Sequence, residues 1–190
     1  MPSDSLKSFR RNAVHIRQAL EASQGEPGRG DARIEQYKRL SIPVRRALNP
    51  GDRASFTDAL AALKPPGRSA PAGLPVVERD WQILQQELDS TIGLGGAKVA
   101  RRQILAEWLD AAAFYDRLDR DRAYEKLIEQ YGLAAEGMGS ELTETAARLI
   151  LQLDALAAAA LDEPVILPPA AKTPPPPPDP GRPWWKRLLG

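Results

Sequence analysis

Cysteine is absent from the 190 residues of this chain, which excludes disulfides, thiolate zinc sites, iron–sulfur clusters and a cysteine nucleophile. The longest apolar run, Ala155–Leu161, is far shorter than the roughly 20 residues that cross a bilayer. Residues 1–20 also lack the apolar core of an export signal. β-Branched residues are few, and the hydrophobic 43% is mostly alanine and leucine, which favours helix over sheet. We therefore expect an all-α protein of the cytoplasm.

Catalytic motifs are equally scarce. The single histidine, His15, lies between two residues of an apolar stripe, and no GxSxG, HExxH or EF-hand pattern is present. The stretch Gly93–Lys98 lacks the GxxxxGK[ST] spacing of a phosphate loop, so we interpret it as a helix–helix turn. Asp116, Asp119 and Asp121 could hold a hard cation, but the intervening arginines favour ion pairs on a solvated helix face. We expect a non-enzymatic protein without cofactor or metal.

The net charge of +1 conceals three segments of opposite sign. Residues 1–70 carry 13 Lys/Arg against 7 Asp/Glu, residues 71–163 carry 9 against 17, and residues 164–190 carry 4 against 1. This asymmetry predicts a basic helical arm, an acidic body and a basic tail. The corresponding boundaries are an arm at 1–64, a Pro/Gly linker at 65–75, a helical bundle at 76–162, a proline-rich linker at 163–183 and a tip at 184–190.

Helical periodicity accounts for most of the arm. An amphipathic helix is predicted over residues 3–23, from the apolar positions Leu6, Phe9, Ala13, Ile16 and Leu20. A second helix should start at Asp31, and Pro43 should end or kink it near Ile42, because proline interrupts the helical hydrogen bonds. A third helix should follow Ser55, which forms a capping-box pattern with Asp58.

Three helices are predicted in the body, over 76–92, over 97–131 and from an N-cap at Ser140 to about Leu161. Glycines at 93, 95 and 96 should separate the first two, the polar stretch Asp119–Arg122 could break or bend the second, and Gly132 should end it. No strand is predicted. The three helices can form a small bundle. Whether residues 1–64 pack on this bundle or move separately is left open.

The C-terminal tail carries the strongest functional signal. It holds ten of the 18 prolines, including Pro174–Pro178, and we predict that residues 163–183 are disordered. The tail ends in a docking tip of aromatic, cationic and aliphatic residues: Trp184, Trp185, Lys186, Arg187, Leu188 and Leu189. In a helix the two tryptophans would form i,i+4 pairs with the two leucines, while the cations face the other side. That pattern fits an anionic membrane surface, where tryptophan prefers the headgroup level, or a groove on a partner protein.

A linker followed by an amphipathic tip is similar in layout to the tethered tails of bacterial peripheral membrane and division-associated proteins. The resemblance covers the tail and assigns no residue roles. The high content of alanine, arginine and proline is compatible with a GC-rich bacterial genome. We expect an adaptor or scaffold that is peripheral at the inner face of the membrane, or that is held by a protein partner.

The basic arm suggests an alternative function, that of a small regulatory protein that binds nucleic acid. Arginine side chains along the arm could neutralise phosphates. The candidate contacts are Arg10, Arg11, Arg17, Arg45 and Arg46. No recognised DNA- or RNA-binding motif accompanies them, and acidic residues are interspersed, so a solvated or intramolecularly paired face is the competing interpretation.

Overall fold

The structure is a computed structural model that describes residues 2–22, 31–64, 66–67, 69–94, 96–113 and 117–165. The predicted docking tip and most of the proline-rich linker lie outside these residues. The described part contains seven helices and one hairpin, so the prediction of an all-α fold is confirmed. Their bounds are α1 Pro2–Ala22, α2 Asp31–Leu48, α3 Phe56–Ala62, α4 Leu74–Asp89, β1 Thr91–Leu94, β2 Ala97–Ala100, α5 Arg101–Ala113, α6 Arg117–Tyr131 and α7 Leu133–Leu161.

Helix α7 is the centre of the fold, since it contacts each of the other six helices. Its apolar residues recur at helical spacing and are buried: Leu142, Ala146, Leu149, Ile150, Leu153 and Ala157. The buried side chains of residues 1–64 belong to the same hydrophobic cluster as those of the body. The basic N-terminal helices therefore pack on the acidic body and help to form its core.

Helices α1 and α2 pack against each other. The middle of α1 lies beside the C-terminal half of α2, where the Asn12 amide donates a hydrogen bond of 2.7 Å to the Pro43 carbonyl. Of the two outcomes predicted for Pro43, an end to the helix is wrong, because α2 continues through it to Leu48. Proline removes one backbone donor, but Leu40 and Val44, both fully buried, hold the helix against the core on either side of it.

The N-cap of α3 is confirmed, but the reciprocal half of the predicted capping box is not formed: the Ser55 backbone N–H donates to the Asp52 carbonyl at 2.9 Å, and the Asp58 carboxylate accepts from the Ser55 hydroxyl at 2.6 Å instead. The Ser55 hydroxyl accepts a hydrogen bond of 3.1 Å from the Asp58 backbone amide, as an N-cap should. Phe56, the first residue of the helix, is fully buried between Phe9 of α1 and Trp81 of α4, at ring-centroid distances of 6.1 and 4.3 Å. The cap thus sets the entry of a helix that joins α1 to α4.

The glycine-rich stretch forms a β-hairpin, which corrects the prediction that no strand exists and that a helix starts at Ala97. Strand β1 pairs antiparallel with β2, with Thr91 opposite Ala100 and Leu94 opposite Ala97. Gly96 takes a φ of 86°, which suits glycine. Gly96 therefore lies in the turn of a strand pair, and α5 begins at Arg101. The β-branched Ile92 and Val99 face each other and pack against the core, which explains why the segment is not helical.

The predicted helix over 97–131 corresponds to two elements, α5, which ends at Ala113, and α6, which begins at Arg117 and continues through Asp119–Arg122 without a break. Gly132 ends α6 as predicted, with a φ of 77°. Helix α7 starts directly after it, so the predicted N-cap at Ser140 is wrong: its hydroxyl donates to the Gly137 carbonyl at 2.9 Å, inside the helix. Gly139 is needed there, because a Cβ would lie 2.6 Å from Cγ of Trp108.

Candidate functional site: the root of the tail and a cationic cleft

Two arginines of α1 are buried against one aspartate of α7. Arg10 Nε donates to Asp154 Oδ1 at 3.3 Å, and Arg17 Nη2 donates to Asp154 Oδ2 at 2.8 Å. Asp154 is 1% exposed, Arg10 5% and Arg17 8%. Burial of a charged side chain costs much free energy unless the charge is paired. Each of these three side chains therefore depends on the others for its burial.

Arg10 also holds the point at which the chain leaves the body. Its guanidinium donates to the Glu163 carboxylate and, at 2.7 Å, to the Pro164 carbonyl. Helix α7 ends just before this point, with Asp162 in a left-handed conformation at φ 52°. The first residues after α7 are therefore fixed to α1, and we call this contact of Arg10 with Glu163 and Pro164 the tail root.

The five arginines predicted to contact nucleic acid do not share a surface. Arg10 and Arg17 point inward, and their guanidinium groups form buried ion pairs with Asp154. Arg45 forms an ion pair with Asp110 of α5, on a different side of α2 from Arg46. Arg11 is exposed on the outer face of α1. The nucleic-acid role stays a prediction, but two of its five residues are not available to a phosphate without unfolding of the ion-pair cluster.

A cationic cleft opens between the outer faces of α1 and α2, with a volume of about 520 Å³. Three cations, three amide or imidazole side chains and three apolar residues line it, and none of the lining residues is a carboxylate. The lining residues are Asn12, His15, Gln18, Ala19, Lys38, Arg39, Ile42, Pro43 and Arg46. A concave surface with this composition can bind an anionic group.

The charges of the cationic cleft are only loosely engaged by the protein. Lys38 lies 3.7 Å from Glu35, one helical turn away, and Arg46 lies 3.5 Å from Asp52. Both separations exceed an ordinary charge-assisted hydrogen bond, and exposed pairs of this kind contribute little. Arg39 is exposed. These cations can therefore turn to an external anion at small cost.

Helical spacing extends the cationic cleft along α1. Arg11 and His15 are four residues apart and both are exposed, so Arg11 lies one turn beyond the cleft on the same face. Ile42, 44% exposed, supplies an apolar side chain at the centre of this charged surface. Of the five arginines predicted to contact nucleic acid, Arg11 and Arg46 belong to this face. Lys38 and Arg39 also line the cleft, but charge composition alone does not distinguish them from the arginines that face α7.

A second cleft, of about 310 Å³, lies between α2, α4 and α5. Its floor is formed by leucines 48, 88, 105 and 109, and its rim includes Arg45 with Asp110 and Arg102. Arg102 is paired with Asp89 at 2.7 Å. Because each rim arginine already has a carboxylate partner, this cleft presents an apolar floor with a charge-balanced edge.

A polar network at the junction of α5 and α6 perturbs one titratable group. The Tyr131 hydroxyl donates to Glu107 at 2.6 Å and accepts from the amides of Gln103 and Gln130. Partial burial, followed by the hydrogen bond to Glu107 and its negative charge, raises the pKa of Tyr131 to about 12. The network ties the end of α6 to α5, which indicates a structural role.

The described residues hold no cluster of three or more histidine, aspartate or glutamate side chains suited to a metal ion. Asp116 and the side chains of Asp119 and Asp121 lie outside what is described. In the same part of the chain, every helix is too short or too polar to cross a bilayer.

The sequence matches no protein-family model, and neither the curated proteins nor the solved structures contain a match to it. Function is therefore inferred from the residues of the chain itself.

Proposed function

We propose that this protein is a non-enzymatic adaptor that docks on an anionic membrane surface through its C-terminal tip. The observation that carries the proposal is the tail root, where Arg10 binds Glu163 and the Pro164 carbonyl. The covalent chain tethers the body to the docking tip, and the tail root fixes the direction in which that chain leaves the body. Arg10 supplies this attachment from α1, at the opposite end of the folded sequence.

The chemistry of the tip supports a lipid surface as its target. Two indoles prefer the headgroup level, and Lys186 and Arg187 favour anionic lipids. In an extended polyproline conformation, residues 168–183 would span roughly 50 Å, enough to hold the body clear of the surface. The body would then carry its own binding partner to the inner, cytoplasmic face of the membrane, where anionic lipids are concentrated.

Co-sedimentation with anionic liposomes tests this function. The full chain should pellet, whereas a chain that ends at Asp179 and the variant Trp184→Ala/Trp185→Ala should stay in the supernatant. Val76→Ala/Ile83→Ala is the matched control, because it removes two large side chains that are 51% and 54% exposed on α4. The control should pellet like the unmodified chain.

If all of these proteins stay in the supernatant, or all pellet equally, docking through the tip on a membrane is refuted. In the first case the tip should be tested against a protein groove, which its i,i+4 aromatic and aliphatic pairs also fit. In the second case the membrane contact belongs to another part of the chain.

Regulation through nucleic acid is a second candidate, favoured by one observation, the cationic cleft. The burial of Arg10 and Arg17 counts against it. Binding to a DNA duplex should then fall steeply as salt rises, since phosphate contacts release counterions. Binding that is undetectable at low salt would end this candidate.

A further inference from the structure

We infer that the cationic cleft between α1 and α2 is a second membrane contact, which binds the phosphate groups of anionic lipids while Ile42 enters the headgroup region. The inference rests on the proposed membrane docking, because both contacts address one surface. It uses none of the tail, so the two can fail separately.

The positive charge of the cleft is complementary to the negative charge of a lipid phosphate. Lys38, Arg39 and Arg46 converge on a cleft whose lining contains no carboxylate, while Asn12 and Gln18 add polar side chains. Arginine offers a fork of donors that matches phosphate oxygens, and lysine offers a compact charge. The acidic residues closest to these cations by ion pairing, Glu35 and Asp52, are outside the lining and lie 3.7 and 3.5 Å from their partners.

The cleft also contains an exposed apolar side chain, which favours a membrane interface over a nucleic acid. Ile42 lies between Lys38 and Arg46 on one face of α2, four residues from each, and is 44% exposed. A bilayer interface buries such a side chain at the same time as it pairs the cations around it. The phosphate backbone of a nucleic acid offers no apolar surface against which Ile42 could be buried.

The shape of the surface also favours lipid over nucleic acid. The cleft is concave and lies between two packed helices, so neither helix projects alone as a reader of the major groove does. Its lining includes no tryptophan, tyrosine or phenylalanine ring on which the bases of a single strand could stack, and His15 is its one aromatic side chain. A headgroup phosphate, in contrast, is small enough to enter a space of about 520 Å³.

Two contacts on one chain would also compensate for the weakness of each. A tip of about one and a half helical turns binds a bilayer only marginally by itself. Once the tip is bound, the body is held close to the same surface, and the cationic cleft binds at a raised effective concentration. Binding of the full chain should therefore exceed that of either contact alone.

The test uses the full chain and vesicles of phosphatidylcholine with and without phosphatidylglycerol. The cleft variant is Lys38→Gln/Arg39→Gln/Arg46→Gln. The control variant, Lys98→Gln/Arg102→Gln/Arg148→Gln, removes the same charges from exposed positions on other elements. Each triple change is made alone and together with Trp184→Ala/Trp185→Ala, and thermal unfolding verifies that every variant is folded.

A second, uncharged pair of variants isolates the apolar contribution. Ile42→Ala removes the side chain at the centre of the cleft, and Ile83→Ala removes one of similar exposure, 54%, on α4. We expect Ile42→Ala to weaken vesicle binding and Ile83→Ala to leave it unchanged. Equal binding by these two variants would overturn the insertion of Ile42.

The cleft variant should lose affinity for the anionic vesicles by roughly fivefold for each cation removed, and the control variant should lose much less. On vesicles of phosphatidylcholine alone the two variants should behave alike. If cleft and control variants lose equal affinity for anionic vesicles, general charge explains the binding and the inference is overturned.

The combined variants separate the two contacts. Binding that depends on the tip but not on the cleft overturns this inference and leaves the proposed function intact. Binding that depends on the cleft but not on the tip supports the cleft and refutes docking through the tip. If a DNA duplex binds in a cleft-dependent manner while anionic vesicles do not, the cleft is a nucleic-acid site and the lipid assignment is wrong.

Discussion

Helix α7 offers a direct test of its packing against α5, because two glycines two residues apart have opposite surroundings. A Cβ built on Gly139 would lie 2.6, 2.8 and 2.9 Å from three atoms of the Trp108 side chain, closer than side chains approach one another. A Cβ built on Gly137 would meet nothing within 4 Å. Gly137→Ala is therefore a matched control for Gly139→Ala.

The magnitudes follow from the helix and from the indole. Alanine stabilises a helix interior by about 1 kcal/mol relative to glycine, and this gain is common to both substitutions. Gly139→Ala adds the cost of overpacking, about 1–3 kcal/mol. Trp108 cannot yield easily, because its ring lies edge-on to Tyr37 and Tyr124 at centroid distances of 5.4 and 5.2 Å. We expect Gly137→Ala to be more stable than the unmodified chain, and Gly139→Ala to be about 1–3 kcal/mol less stable than Gly137→Ala.

Urea unfolding of the three proteins measures this difference, from midpoints at a common slope. Replacement of Trp108 by phenylalanine should reduce the cost of Gly139→Ala, since the smaller ring removes part of the clash. A double-mutant cycle quantifies that coupling. The reasoning is refuted if Gly139→Ala is as stable as Gly137→Ala, because the close approach of α7 to α5 would then not exist in solution.

Three further substitutions test other parts of the structure. Asp154→Ala leaves two buried guanidinium groups without their shared carboxylate, so urea unfolding should show a loss of about 3–5 kcal/mol; Asp110→Ala, at an exposed pair, should cost no more than about 1 kcal/mol, and equal losses would contradict the burial of the cluster. Ser55→Ala removes the cap of α3 and should cost about 1 kcal/mol, measured in the same way, whereas no loss would argue against the cap. The raised pKa of Tyr131, about 12 against 10.0 for free tyrosine, contributes stability that is present below pH 10 and is lost as pH rises towards 12. Titration of phenolate absorbance should show this group, and Glu107→Gln should move its pKa back towards 10; an unchanged titration would contradict the role of Glu107.

Helix limits that depend on residues close in the sequence were predicted correctly. The apolar stripe of α1 and the N-cap at Ser55 both depend on residues within a turn or two, and both are found in the structure. The limits set by distant contacts were predicted wrongly. Pro43 and Gly139 break helices by propensity, but the buried neighbours of Pro43 and the indole of Trp108 decide otherwise. The hairpin had a usable signal, Ile92 and Val99 flanking a glycine turn, which a helical interpretation of the flanks obscured.

The residues of the candidate site could also be predicted only in part from the sequence, because distant contacts decide which of them are exposed. Composition correctly marks residues 1–64 as basic, but it cannot separate arginines that face α7 from those that face water. Arg10 and Arg11 are neighbours in sequence, yet one is buried at the tail root and the other is exposed. A helical wheel of α1 contains part of the answer, because Arg10 and Arg17 flank the apolar stripe while Arg11 and His15 lie opposite. Their partner, Asp154, is too far along the chain for any local pattern to indicate.

That separation also bears on how the protein is made. Asp154 leaves the ribosome 144 residues after Arg10, and at about 5–20 residues per second this delay is roughly 7–30 s. Throughout that interval α1 is a nascent helix with two inward guanidinium groups and an apolar stripe that α2 and α3 cover only in part. Completion of the core must wait for α7, so the newly made chain exposes part of an apolar stripe that the finished protein buries.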